Sequence, residues 1–262
     1  MISPFRRHQM HVRALLSGAA QPEAAPTAPI RAMDTPMGQE YAALRVALHD
    51  NLRSLSDIAS IEARNPVKIE MARTFAPWIE GVLQAGEEGQ AAQDEILVWN
   101  LIWAIDYRDW DYALRLAAHA IRFNLASPER YNRTVACFVA EDIAKLSLDQ
   151  QEAVPHEVLC RVLALIEGHD MPDPAKAKLH KALARSFTRR AEAFDPAADN
   201  APAGGKAAYL AEALDHARRA HQLDSSIGVK SDIRSLEKAL RKLGPDEAGG
   251  GAGAGEDEAD TE

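Results

Sequence analysis

Apolar residues recur at three- and four-residue steps along most of this chain and alternate with polar ones almost nowhere, a period that predicts helices rather than strands. Over residues 37–72, Tyr41, Leu44, Leu48, Leu55 and Ile58 trace one such stripe, with Asn51 in its seam and Leu52 beside it. The spacing predicts a long amphipathic helix that Pro66 ends or kinks. Its stripe has two uses: a coiled-coil seam between copies in which Asn51 sets the register, or a face laid against the rest of the chain. Further on, residues 77–85 predict a short helix stopped by Gly86 and Gly89. Residues 93–105 predict another, in which Ile96, Leu97, Trp99, Ile102, Trp103 and Ile105 are dense enough for a central core element. Asp109 stands where an N-cap is needed for a helix over 110–123. Helices are also expected near 128–146, 156–167, 173–190, 206–222 and 228–242, separated by Pro128, Pro155, Gly168, Pro172, Pro174 and the stretch 195–205.

An internal echo refines the fold class. Ala113, Leu114, Ala117 and Ala120 recur as Ala213, Leu214, Ala217 and Ala220, with Trp110 and Tyr209 just ahead of each set. Small residues at that spacing let a helix approach its neighbour closely. The expectation is an all-α chain whose body, residues 73–243, is built from tetratricopeptide-like hairpins, against a generic helical domain with two coincident alanine faces.

The ends differ from the body. Ser3 and Pro4 open a short predicted helix that closes at Gly18, with Phe5, Val12 and Leu16 on one side and Arg6 and Arg13 on another. Residues 19–36 hold Pro22, Pro26, Pro29 and Pro36 and read as a linker, so this basic helix is expected to be tethered rather than packed. The glycine-rich and acidic stretch 244–262 is disordered on composition.

Charge sharpens that division. The 262 residues carry a net charge of -9, of which seven acids lie in 244–262 without a Lys or Arg, leaving -2 on the rest. The first twenty residues contribute +3, and residues 206–243 hold eight basic against five acidic side chains, so phosphate contacts should come from those two ends. No stretch approaches the roughly 20 apolar residues of a membrane span, and Arg6, Arg7, His8 and His11 interrupt any leader, which points to an intracellular protein. Cys137 and Cys160 have no metal-ligand spacing and read as buried thiols, while His119, His169, His180, His216 and His221 show no paired metal spacing. The glycines of 249–255 lack the Lys of a phosphate loop.

Four blocks carry a resemblance. They are SPFRRHQMHVR at 3–13, FAPWIEGVLQAG at 75–86, QDEILVWNLIWAIDYRDWDYALRLAAHAIRFNL at 93–125, and MPDPAKAKLHKAL at 171–183 together with ALDHARRAHQLDSSIGVKSDIRSLEKAL at 213–240. In that order the chain resembles the small terminase subunits of temperate tailed phages with cohesive DNA ends, of the Peduovirus type. The resemblance implies double-stranded phage DNA, a large ATPase subunit and a procapsid as partners, a homo-oligomeric assembly, and the cytoplasm of the bacterial host as location. If the chain recognises that DNA, the basic first helix supplies the phosphate contacts, through Arg6, Arg7 and Arg13 with His8 or His11. The resemblance also brings the label of endonuclease, for which the chain has no intrinsic cofactor; Mg²⁺ held by Asp94, Asp106 and Asp109 would be required. Each of these acids has a structural alternative: Asp94 and Glu95 suit the first turn of a helix and Asp109 an N-cap. The long insert at 195–205 and the acidic tail depart from the family pattern. Three functions stay open: a recognition subunit, a metal-dependent nuclease, and a helical adaptor that binds no DNA.

Overall fold

The computed structural model describes residues 27–129, 131–195 and 205–243, and among them every regular element is a helix. These are α1 (Pro36–Ser56), α2 (Ile61–Glu87), α3 (Glu95–Asp106), α4 (Trp110–Arg122), α5 (Val135–Asp149), α6 (His156–Leu165), α7 (Asp173–Glu192), α8 (Gly205–Leu223) and α9 (Lys230–Leu243). Side-chain caps explain five of the starts. Thr35, Ser60, Asp94, Asp109 and Thr134 each accept a hydrogen bond from a backbone N–H three residues on, satisfying a donor the helix cannot.

α3 is the axis of the core. Its residues 96–105 are all buried, so it is apolar around its whole circumference rather than along one stripe. α2 lies antiparallel to it: Trp78 meets the α3 N-cap Asp94, Phe75 meets Trp103 at 6.3 Å between ring centres, and Lys68 meets Asp106 at the far end. α7 and α8 form a second antiparallel pair, with His180 against His216 at one level and Phe187 against Tyr209 at another. The two alanine motifs lie on α4, which follows α3, and on α8, which follows α7. Ala113, Ala117 and Ala120 of α4, and Ala213, Ala217 and Ala220 of α8, are at most 1% exposed, as close helix contact requires.

Three expectations are corrected. The segment 37–72 is two helices, broken at residues 57–60 where Ser60 caps α2, and Pro66 lies inside α2 together with Pro77. Gly86 does not stop a helix: α2 runs on to Glu87, and the left-handed turn is Gly89, at φ +82°. The linker read over 19–36 is packed from its described start. Ala28 donates its N–H to the Phe123 carbonyl at 2.9 Å and is 7% exposed, and Pro29 accepts from the Gln93 N–H at 2.8 Å. The predicted helix over 1–18 and the acidic stretch 244–262 lie outside the described residues.

Candidate functional site

The three candidate carboxylates all border α3, the most apolar helix, because its ends are where polar groups can satisfy free backbone N–H and C=O groups. Asp94 sits at its N-terminus with its side chain fully buried. One oxygen accepts the Leu97 N–H at 3.0 Å; the other accepts the Trp78 indole N–H at 2.9 Å and the Arg31 guanidinium at 3.1 Å. Arg31 in turn stacks on Tyr41 and Trp78, 5.1 and 4.9 Å from their ring centres, while the Tyr41 hydroxyl accepts the Glu95 N–H at 2.9 Å. Burial pushes the Asp94 carboxyl above its ordinary range, opposed by these donors. The cluster joins residue 31, α1, α2 and α3 through one carboxylate.

Asp106 stands at the opposite end. Its carboxylate lies 2.7 Å from the Lys68 ammonium, with the Asp106 side chain 42% exposed and that of Lys68 only 11%. Asp109 caps α4, accepting the Tyr112 N–H at 3.2 Å, and is exposed. Twelve residues of helix separate Asp94 from Asp106, about 18 Å at the usual rise. Asp106 and Asp109 therefore flank the connection between α3 and α4, and Asp94 lies at the other end of α3. Among the described residues, no cluster of three or more His, Cys, Asp or Glu side chains could hold a metal ion.

Two other polar clusters are engaged in packing. Arg133, which lines an open cleft of about 600 Å³, is held by Glu141 at 2.6 Å and Asp142 at 3.2 Å, and Lys178 of α7 reaches the other Glu141 oxygen. The Lys178 hydrogen bond, with Arg133 behind it, holds Glu141 below its ordinary range. Where α6 meets α7, the His156 ring lies 3.0 Å from the Ser186 hydroxyl and 3.4 Å from the Cys160 sulfur. Burial lowers His156 to about 4 and raises Cys160 to about 11. Those shifts leave a neutral imidazole beside a protonated thiol, the opposite of an activated nucleophile pair.

α9 is different in kind. Its buried Leu236 and half-buried Ile233, Ala239 and Leu240 face the body, and its two acids are taken up there, Asp232 by Arg185 at 3.5 Å and Glu237 by Arg218 at 2.7 Å. Lys230, Arg234, Lys238, Arg241 and Lys242 are exposed, and none forms an ion pair with a described carboxylate. The sequence flagged residues 206–243 as basic, but it could not show which acids would be neutralised from other helices. Arg6, Arg7, His8 and Arg13 lie outside the described residues.

Comparison with known proteins gives these features a family. The profile of the phage small terminase subunit matches residues 45–174, from α1 to the start of α7. The chain is 34% identical over 244 residues to the terminase endonuclease subunit of Escherichia phage P2, spanning 92% of this chain and 87% of that one. It is 26% identical over 213 residues to the probable terminase endonuclease subunit of Haemophilus phage HP1 (strain HP1c1), spanning 79% and 72%. No solved structure matches it. A profile match over the middle of the chain agrees with a likeness to the phage P2 protein over 92% of it, and the chain belongs to the phage small terminase subunit family.

Proposed function

We propose that this chain is the recognition subunit of a phage terminase. It binds the cohesive-end site of double-stranded viral DNA, engages a large subunit carrying the packaging ATPase, and acts as a homo-oligomer in delivering DNA to the procapsid in the host cytoplasm. Arg6, Arg7 and Arg13, with His8, contact phosphates. Their reach is bounded, because Arg13 is fifteen residues before the buried Ala28, a stretch of chain that spans at most about 54 Å. The helical body, read as tetratricopeptide-like, offers the surface for the large subunit. The observation that carries recognition over cleavage is the placement of the carboxylates: Asp94 is sealed by three donors, Asp106 is paired with Lys68, and Asp109 caps a helix.

The test is binding of the full chain to duplexes of equal length with and without the cohesive-end site, over a series of salt concentrations. Site-bearing DNA should bind more tightly, and the Arg6, Arg7 and Arg13 to Ala variant should lose affinity and salt slope together. Equal binding to both duplexes overturns site recognition, and no binding to either leaves the adaptor function.

The phage P2 relative, a terminase endonuclease subunit, favours a second reading, a nuclease in its own right. Asp106 is its most plausible ligand, being partly exposed and close enough to Asp142 to help burial raise that carboxyl. On this reading the purified chain with Mg²⁺ nicks site-bearing DNA and Asp106→Asn abolishes nicking. Cleavage that requires the large subunit assigns the chemistry to the partner.

A further inference from the structure

We infer that the outer face of α9 is a second DNA-backbone contact, in which Lys230, Arg234, Lys238 and Arg241 lie along the phosphates of one duplex. The inference rests on the DNA-binding reading above and extends it to residues the profile match does not reach. At about 100° per residue these four side chains fall within an 80° sector, and Lys242 widens it to 120°. Along the axis they are spaced at about 6 Å steps over about 16 Å, a row of positive charge on the scale of several successive phosphates.

Local structure makes the row available. Glu237 borders the sector, but Arg218 of α8 holds it at 2.7 Å, and Asp232 points to Arg185 of α7. Each acid of α9 thus neutralises a cation of the body, and the helix's own cations have no carboxylate partner among the described residues. Arg115, Arg161 and Arg190 of the body are each tied to a carboxylate on another helix at 2.5–2.9 Å, and the exposed arginines without such a pair, Arg108, Arg122 and Arg219, are spread over the α3–α4 connection, α4 and α8 rather than gathered in a row. The apolar side of α9 is packed on the core through Leu236 and Ile233, so its charges stand on a fixed element. A chain of net charge -9 that nonetheless gathers, on a 14-residue helix, five cations with no ion-pair partner among the described residues concentrates its attraction for a polyanion there.

DNA is the occupant of this face, and the acidic stretch 244–262, which begins next to Leu243, is its rival. The experiment uses the full chain and a 30-base-pair cohesive-end duplex with a scrambled control of the same length. In R234A/K238A/R241A the helix retains good helix formers at exposed positions. Affinity for both duplexes should fall at least tenfold at moderate salt, and the slope of log K against log salt should drop by about 2–3, while R234K/K238R/R241K keeps both. An unchanged slope in the alanine variant overturns the inference while leaving DNA recognition standing. Tighter binding overturns it as well and gives the face to residues 244–262. If the unaltered chain shows no salt-dependent binding to either duplex, with or without the large subunit, the functional reading fails first.

Discussion

Gly86 lies where α2 passes closest to α4. A Cβ built there would stand 2.5 Å from two atoms of the His119 ring, which is itself buried and tilted against Phe123 at 4.8 Å. Gly86→Ala should therefore destabilise the fold by about 1–3 kcal/mol, as overpacking does, although alanine favours a helix. Urea unfolding checks this, and a neutral or stabilising effect would mean that the ring moves freely. The sequence made the glycine conspicuous but not its reason, because a stop and a close approach look alike until the partner helix is known. Asp109 was legible as a cap, since a cap needs only its own neighbours. Asp94 was legible as a residue of the helix start but not as an anchor for Arg31 and Trp78, which lie 63 and 16 positions away.

The same limit governs the elements. Helix type and the run from α3 onward could be read from periodicity, with α5 starting later than expected at Val135. The break between α1 and α2 could not. Pro66 drew attention as the breaker, yet it and Pro77 are eleven residues apart and so share one face, and both are exposed. The carbonyls they leave unbonded, four residues back at Glu62 and Arg73, also belong to exposed residues and can be met by water, so α2 continues through both. Contacts between elements also set a pH limit. His156 of α6 packs edge-on against Phe187 of α7, with Arg190 and Arg189 disfavouring its charged form and Glu157 favouring it. Its folded value of about 4 lies below the ordinary 6.5, so the folded state binds fewer protons and loses stability as pH falls through that window. Between pH 7 and pH 5 the loss should be about 1–2 kcal/mol, allowing for partial exposure. Denaturant midpoints at the two pH values measure it, and His156→Asn, whatever its own cost, should flatten the dependence. An equal slope in the variant would assign the acid sensitivity to another group.

At the scale of the molecule, the stripe of α1 decides between two ways of using one pattern. Tyr41, Leu48 and Leu55, at heptad spacing, are 5%, 0% and 6% exposed within the single chain. Of the large apolar side chains left exposed on α1, Val46 lies off that seam, and Met37 lies on it only at the helix start, one turn before Tyr41. The sequence left a coiled coil between copies and a helix laid on the body equally open, because periodicity describes one face and not what covers it. With the seam covered by its own chain, Leu48→Ala should lower stability by about 2–5 kcal/mol through the cavity it leaves. That cost should be independent of protein concentration, since no association equilibrium contributes to it. Thermal unfolding over a hundredfold range of concentration, alongside mass measurement in solution, distinguishes the cases. If the variant's deficit shrinks as protein is added, or its mass falls while its helices persist, Leu48 belongs to a contact between copies. A fixed deficit places any homo-oligomer contact elsewhere, leaving α1 to fasten the start of the described chain to the α2–α3 pair.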